Sequence, residues 1–309
     1  VTETRATAVT ETPVTETPVT ETPVTETPVT ETGPSDPRSS SIPGSPSATG
    51  SGGLSGTLVG VGVGPGDPEL VTLKALHILR RADRVVAPSL DETAVGRAEA
   101  IVREVAPEVT VERVIFTMSA SDIPADASPD DGRPHSALPP AASARAAAGR
   151  VAPWLEAGRT VAFVTLGDPA IYSTFWSLVA ALADRHIRPS IETVPGIMAF
   201  QALAAHQAAC LVDGTESLRL VTGLAGQELE PLARDGAALV VYKCGRRLGE
   251  LAAALERAGR LDGAWHGELL GLPGERVRPL AAVRDQPAAY LSTVIVPPLG
   301  RRAAEWRPR

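Results

Sequence analysis

Two Gly-Asp-Pro turns bring together residues that could do chemistry. The first lies in GTLVGVGVGPGDPELVTLKA, residues 56–75, where five glycines and two prolines separate an apolar run from a helix start. A glycine-rich turn after a strand is a common phosphate cradle, because its backbone N–H groups can point at an anion. The spacing excludes that use here. A G-x-G-x-x-G fingerprint counted from Gly60 ends on Pro65, and counted from Gly62 it ends on Asp67. No lysine follows until Lys74, so the P-loop spacing fails too. Pro65 and Pro68 offer no N–H donor, and Asp67 places a carboxylate where a phosphate would be repelled. A carboxylate in a glycine turn suits a cation, or a ligand that offers hydroxyl and amino donors. It equally suits a helix start, with Asp67 as the cap and Pro68 in the first position.

The pattern recurs. VAFVTLGDPAIYSTFWSLVAAL, residues 161–182, runs from an apolar stretch through Gly167, Asp168 and Pro169 into a helical segment. Pro195 and Gly196 turn the chain in IETVPGIMAFQALAA, and Gly245 closes ALVVYKCGRR. Ligands of open α/β sheets bind outside the carboxyl ends of the strands, so such turns could line one crevice.

The elements that must position these turns follow from periodicity. TLVGVGV, DRVVAP, VTVERVIF, TVAFVTLG and PSIETVP read as strands, and LVTLKALHILRRA, ETAVGRAEAIVREVA and SARAAAGRVAPWLEAG as the helices between them. Alternation of that kind predicts a parallel sheet in an α/β fold. After VPGIMAFQALAAHQAA the character changes. SLRLVTGL, AALVVYKCG, WHGELLGL, ERVRPLA and YLSTVIVPP give five more strands, with a helix in RRLGELAAALERAG and a shorter one near residues 228–234. The expected organisation is two α/β domains, 56–195 and 196–309, meeting near Pro195. The polar, proline-rich stretch 119–140 is expected to be a mobile insertion.

Residues 1–55 read differently. TETPV repeats without substitution and gives way to Gly, Ser and Pro, a composition expected to stay disordered. The repeat reads as an inert tail, with an over-extended start assignment or an interaction arm as alternatives. It carries −5 of the net charge of −7, so the body is near neutral and does not suit a general nucleic-acid binder. No basic-then-apolar leader and no bilayer-length apolar run is seen, which gives a cytoplasmic expectation without membrane contact. Cys210 and Cys244 lie apart and lack zinc spacing, so no metal is expected. Both are expected as reduced thiols, with Cys210 buried on a helix.

GVGVGPGDPELVTLKA, LGDPAIYSTF, VPGIMAFQALAA, VVYKCGR and YLSTVIVP, in this order, resemble the tetrapyrrole (corrin/porphyrin) methylases. The G-D-P-x-x-Y-S-T-F form, with F-Q-A-x-A-A after V-P-G-I, is most similar to the branch that methylates the C20 bridge carbon of precorrin-2. The resemblance covers residue 56 to about 298 and implies homodimers of two-domain α/β subunits that bind S-adenosyl-L-methionine in the cleft between the domains. It implies cofactor contacts at Pro65, at Leu166, Gly167, Asp168 and Ile171, at Met198 and Ala199, at Lys243 and at Gly271. Asp67 joins them on the cationic-ligand reading above. Lys243 departs from the family, where many relatives have methionine. Pro88 departs as well: it stands where sirohaem-forming relatives carry an aspartate, a candidate base.

Methyl transfer from a sulfonium asks the protein mainly for alignment, and orientation can contribute roughly 7–11 kcal/mol. A proton must leave C20 afterwards, and Tyr172, Asp168, Asp67 and His206 are the side chains available to take it, with solvent as another acceptor. Each has a structural alternative: Asp168 as a helix cap, Tyr172 packed between helix and sheet, His206 as a core or interface histidine. A polyanionic tetrapyrrole calls for guanidinium groups. Arg246 and Arg247, beside Lys243, are the first candidates for substrate binding, followed by Arg113 and Arg145. Three other functions stay open: the same methylation on the cobalt-bearing counterpart (cobalt-factor II or cobalt-precorrin-2), methylation at another position, as in uroporphyrinogen III or precorrin-4, and cofactor binding without catalysis.

Overall fold

The computed structural model describes residues 56–90, 93–116, 140–222 and 226–300. The TETPV tail and the proline-rich insertion lie outside these residues, except that Pro140 is already the first residue of a helix. Among the described residues no helix is long and apolar enough to cross a membrane.

The first sheet contains β1 (Thr57–Gly62), β2 (Arg84–Ser89), β3 (Val111–Ile115), β4 (Thr160–Thr165) and β5 (Ser190–Val194) in the order β3-β2-β4-β1-β5. Every pairing is parallel. The inner strands β1, β2 and β4 are covered on both faces, which is why they read as apolar runs, whereas the edge strand β5 is exposed over residues 190–193. Alternate side chains serve opposite layers. Leu58, Val86, Val114 and Phe163 meet α3 (Pro140–Glu156) and α4 (Phe175–Asp184), while Val59, Val61, Val85, Ala162 and Val164 meet α1 (Leu73–Arg81) and α2 (Arg97–Val105). Gly60 is needed in β1 because the ring of Phe175 occupies its side-chain space, 2.9 Å from where a Cβ would stand.

α2 is tied to β3 by a buried ion cluster. Glu99 is fully enclosed and takes two hydrogen bonds from Arg113, Nε at 2.7 Å and Nη2 at 3.0 Å, and a third contact from Arg103 at 2.5 Å. Arg113 also donates to the carbonyl of Thr93, so it anchors the segment after β2. This guanidinium is thus committed to the fold, whereas Arg145 stands exposed on α3.

The second sheet contains β6 (Leu218–Thr222), β7 (Ala238–Tyr242), β8 (Trp265–Glu268), β9 (Arg276–Pro279) and β10 (Ser292–Val296) in the order β6-β7-β10-β8-β9. Only β6 and β7 run parallel; the other pairs are antiparallel. α6 (Gly226–Arg234), α7 (Leu248–Arg257) and the single turn α8 (Leu280–Val283) contribute to the apolar layer on one face, with Leu239, Val241, Val294 and Val296. The opposite face takes α5 (Ala199–His206), whose Leu203 and Ala204 pack on Val240 and Ile295. α5 thus follows β5 in the chain but is buried against the second sheet.

One expectation is corrected. Cys210 is exposed and lies beyond α5, which stops at His206 because Ala208 turns into the left-handed region at φ +47°. Cys244 is buried, and burial pushes its thiol up to about 12.

Candidate active site

The turns at the carboxyl ends of the first sheet stack backbone on backbone. Val63 N–H donates to the carbonyl of Thr165 at 3.0 Å, and Gly167 N–H to that of Gly64 at 2.8 Å. A Cβ on Gly62 would collide with the Gly167 carbonyl and would reach 2.7 Å from Gly196 N. A Cβ on Gly196 would strike the same carbonyl. Glycine at these positions is therefore a requirement of close approach rather than of flexibility. The second sheet contributes a fourth wall: Gly271, at φ +70°, lies against Asp67 N and Gly66, and Gly66 lies against the carbonyl of Leu270.

The two aspartates differ in what they hold. Asp67 Oδ1 accepts from Glu69 N–H at 2.9 Å and caps the short 3-10 turn Pro68–Leu70, while α1 has its own cap in Thr72. Asp168 uses both oxygens: Oδ1 accepts from Ala170 N–H at 2.8 Å and Oδ2 from Gly196 N–H at 3.0 Å. It binds the second turn to the third and does not cap α4, which begins after Thr174, a residue whose side chain makes no capping bond. Pro65 is buried in the first turn, and Leu166 and Ile171 are half-buried in the second. Met198 is buried with its Sδ beside Gly167, 3.0 Å from where a Cβ would stand, and Ala199 opens α5. Gln201 Oε1 accepts from Met198 N–H at 2.8 Å and fixes that turn.

Tyr172 reaches from the second turn toward the second sheet. It adopts φ +51°, is 50% exposed, and donates its hydroxyl to the carbonyl of Leu220 at 3.3 Å. Its ring stands edge-on to that of Tyr242 at 6.1 Å. Tyr242 accepts from Phe200 N–H at 3.3 Å, and burial pushes its phenol above the ordinary tyrosine value. The rest of the Y-S-T-F stretch serves the fold: Ser173 Oγ donates to Thr165 Oγ1 and accepts from Phe175 N–H, and Phe175 is core.

Lys243, at φ +55°, places Nζ 5.6 Å over the ring of Tyr290. Arg246 and Arg247 are exposed on the 3-10 turn Gly245–Arg247 that follows. Gly245 has no room for a side chain, because the carbonyls of Ala288 and Ala289 press on it. His206, at the end of α5, is half-exposed and not a core histidine; its Nε2 lies 3.1 Å from Glu275 Oε1. Sequence reasoning missed Glu275, whose other oxygen accepts from Gly271 N–H at 2.6 Å. Its only trace in the sequence is a carboxylate four residues after the glycine.

The bonded pairs bring Pro65, Asp67, Leu166, Gly167, Asp168, Met198 and Gly271 onto adjoining turns, with Tyr172 bridging to the side of Tyr242 and Lys243. The turns bring together two carboxylates that accept backbone N–H groups and a buried thioether packed on Gly167, rather than converging phosphate donors. Among the described residues no cluster of His, Cys, Asp or Glu could hold a metal ion.

The family model for tetrapyrrole (corrin/porphyrin) methylases matches residues 57–283. A precorrin-2 C(20)-methyltransferase of Sinorhizobium sp is 36% identical over 243 residues, covering 78% of this chain and 95% of its own length. The cobalt-precorrin-2 C(20)-methyltransferase of Salmonella typhimurium is 32% identical over 247 residues, covering 79% and 97%. A Mycobacterium tuberculosis protein named cobalamin biosynthesis protein CobIJ is 35% identical over 257 residues; the match takes 80% of this chain and 47% of that protein, so the chain spans about half of that relative's length. Among solved structures, the cobalt precorrin-4 methyltransferase CbiF shares the fold at TM-score 0.57 and 20% identity, covering 78% of this chain and 94% of that one. With that fold, those turns and a family match across both sheets, the chain belongs to the tetrapyrrole (corrin/porphyrin) methylases.

Proposed function

We propose that this protein transfers a methyl group from S-adenosyl-L-methionine to C20 of precorrin-2, giving precorrin-3A, in cobalamin biosynthesis. The reading is carried by the convergence of the carboxyl-end turns in a chain that aligns, over 78% of its own length, with 95% of a precorrin-2 C(20)-methyltransferase. When bound, the cofactor supplies an electrophilic methyl on a positively charged sulfur. The turns fit such a group in their chemistry, since Asp67 and Asp168 place two carboxylates on them. The Gly64–Gly167 and Asp168–Gly196 bonds fix the turns before any ligand arrives, which is the preorganisation that alignment requires.

Tyr172, its hydroxyl turned to Leu220, acts in this reading by positioning the second turn, and Asp168 by holding the third. Solvent then takes the C20 proton ahead of either side chain, and His206 is engaged with Glu275. Arg246 and Arg247 receive the carboxylates of the substrate. The burial of α5 on the second sheet supports a domain boundary near Pro195. A homodimer in the cytoplasm completes the reading and rests on the family resemblance.

Incubation with the cofactor and precorrin-2 should give a one-methyl gain in mass, and a labelled methyl donor should place that methyl on C20 by NMR. Cofactor binding without methyl gain would overturn the catalytic reading. Replacing Arg246 and Arg247 together with alanine should raise the tetrapyrrole KM by about tenfold and spare cofactor affinity, the loss expected for charge-assisted hydrogen bonds. The name of the Salmonella relative favours a second substrate, the cobalt-bearing form, which the same assay run on both substrates separates.

A further inference from the structure

The turn after β8 meets the first glycine turn without side chains between them. Gly271 lies so close to Asp67 N, and Gly66 to the Leu270 carbonyl, that a methyl group on either glycine would collide with backbone. Contact this close holds only if the turn itself is held. The turn has internal bonds, from Leu272 N–H to Leu269 O at 2.8 Å and from Glu275 N–H to Leu272 O at 3.0 Å. At Gly271 the support comes from a side chain, Glu275, whose Oε2 takes the Gly271 N–H at 2.6 Å. Its Oε1 lies 3.1 Å from Nε2 of His206. His206 ends α5, the helix that Met198 and Ala199 begin. One carboxylate therefore connects the Gly271 turn to the helix behind the third turn and, through the backbone contact with Asp67, to the first.

We propose that Glu275 is a positioning residue: by clamping the Gly271 turn between the first glycine turn and α5 it sets cofactor affinity, with His206 as its second anchor. The proposal rests on the cofactor reading above and names a residue which that reading does not use. Glu275 touches no reacting atom, so its loss is expected in binding and not in the rate of the bound complex.

The test is calorimetric titration of the full chain with S-adenosyl-L-homocysteine, together with the kinetics of precorrin-2 methylation. Glu275→Ala removes both contacts and should weaken binding by about tenfold or more, the loss expected of a hydrogen bond to a charged group, with kcat at saturation within about twofold. Glu275→Gln keeps an oxygen for Gly271 N–H and should return the Kd to within about threefold of wild type. Glu275→Asp keeps the charge but is one methylene too short to span both partners, and should weaken binding nearly as far as alanine. Should the alanine variant not fold, the contrast between glutamine and aspartate carries the same test. Equal Kd values in wild type and variants, a glutamine variant as weak as aspartate, or a fall in kcat at unchanged Kd would each overturn the proposal. Wild type that does not bind the probe would overturn the cofactor reading itself, an outcome distinct from these.

Discussion

Asp67 and Asp168 occupy equivalent places in two Gly-Asp-Pro turns, yet only one of them spans two turns. Asp67 gives an oxygen to its own neighbour, Glu69, and asparagine caps such a turn as well as aspartate does. Asp67→Asn therefore keeps the cap and removes only the charge, and on the cofactor reading it should weaken cofactor binding by a few-fold, about what an exposed charge contributes, measured by calorimetry; an unchanged Kd would leave Asp67 as a cap alone. Asp168 is different. Asparagine has one oxygen for the two N–H groups of Ala170 and Gly196, so Asp168→Asn should cost about 1–3 kcal/mol in denaturant unfolding. The sequence made these turns visible as a repeated pattern, but not this difference, because Gly196 lies 28 residues from Asp168 along the chain.

Among the elements, the pairing of α2 with β3 rests on a buried charge. Burial alone would raise the carboxyl of Glu99, but the hydrogen bonds and charges of Arg113 and Arg103 outweigh it and hold the group below its ordinary value. A carboxyl depressed by folding stabilises the native state at neutral pH, and that contribution disappears as pH falls through the depressed value. Arg113→Ala leaves Glu99 with Arg103 alone and should cost about 3 kcal/mol at pH 7. The gap from wild type should narrow in acid, as read from denaturant unfolding at both pH values. β1, β4, β7 and β10 were legible because strands buried on their faces leave apolar runs in the sequence. The end of α5 was not. AAHQAAC contains no glycine or proline, and the helix stops because Ala208 takes a left-handed conformation that alanine rarely adopts. The reach of Tyr172 to Leu220 and the clamp of Glu275 on Gly271 were hidden for a related reason: one joins the two sheets, and the other depends on a turn whose path only the packing reveals.

For the whole molecule, the two thiols report on different depths. Cys210 is exposed and should react with a disulfide reagent in the native state at pH 8. Cys244 is enclosed, with its thiol pushed up to about 12, and should react only on unfolding, so that counting thiols against denaturant follows global stability. The order of the second sheet bears on synthesis as well. β10 is the last of its strands to leave the ribosome, yet it stands in the centre, pairing with β7 on one side and β8 on the other. The first sheet has all its strands once Val194 has emerged, whereas β7 and β8 must wait with open edges until residues 292–296 arrive. During that interval β7 and β8 each present one edge without its partner, the state in which edge-to-edge aggregation is most readily seeded and a holding chaperone most useful.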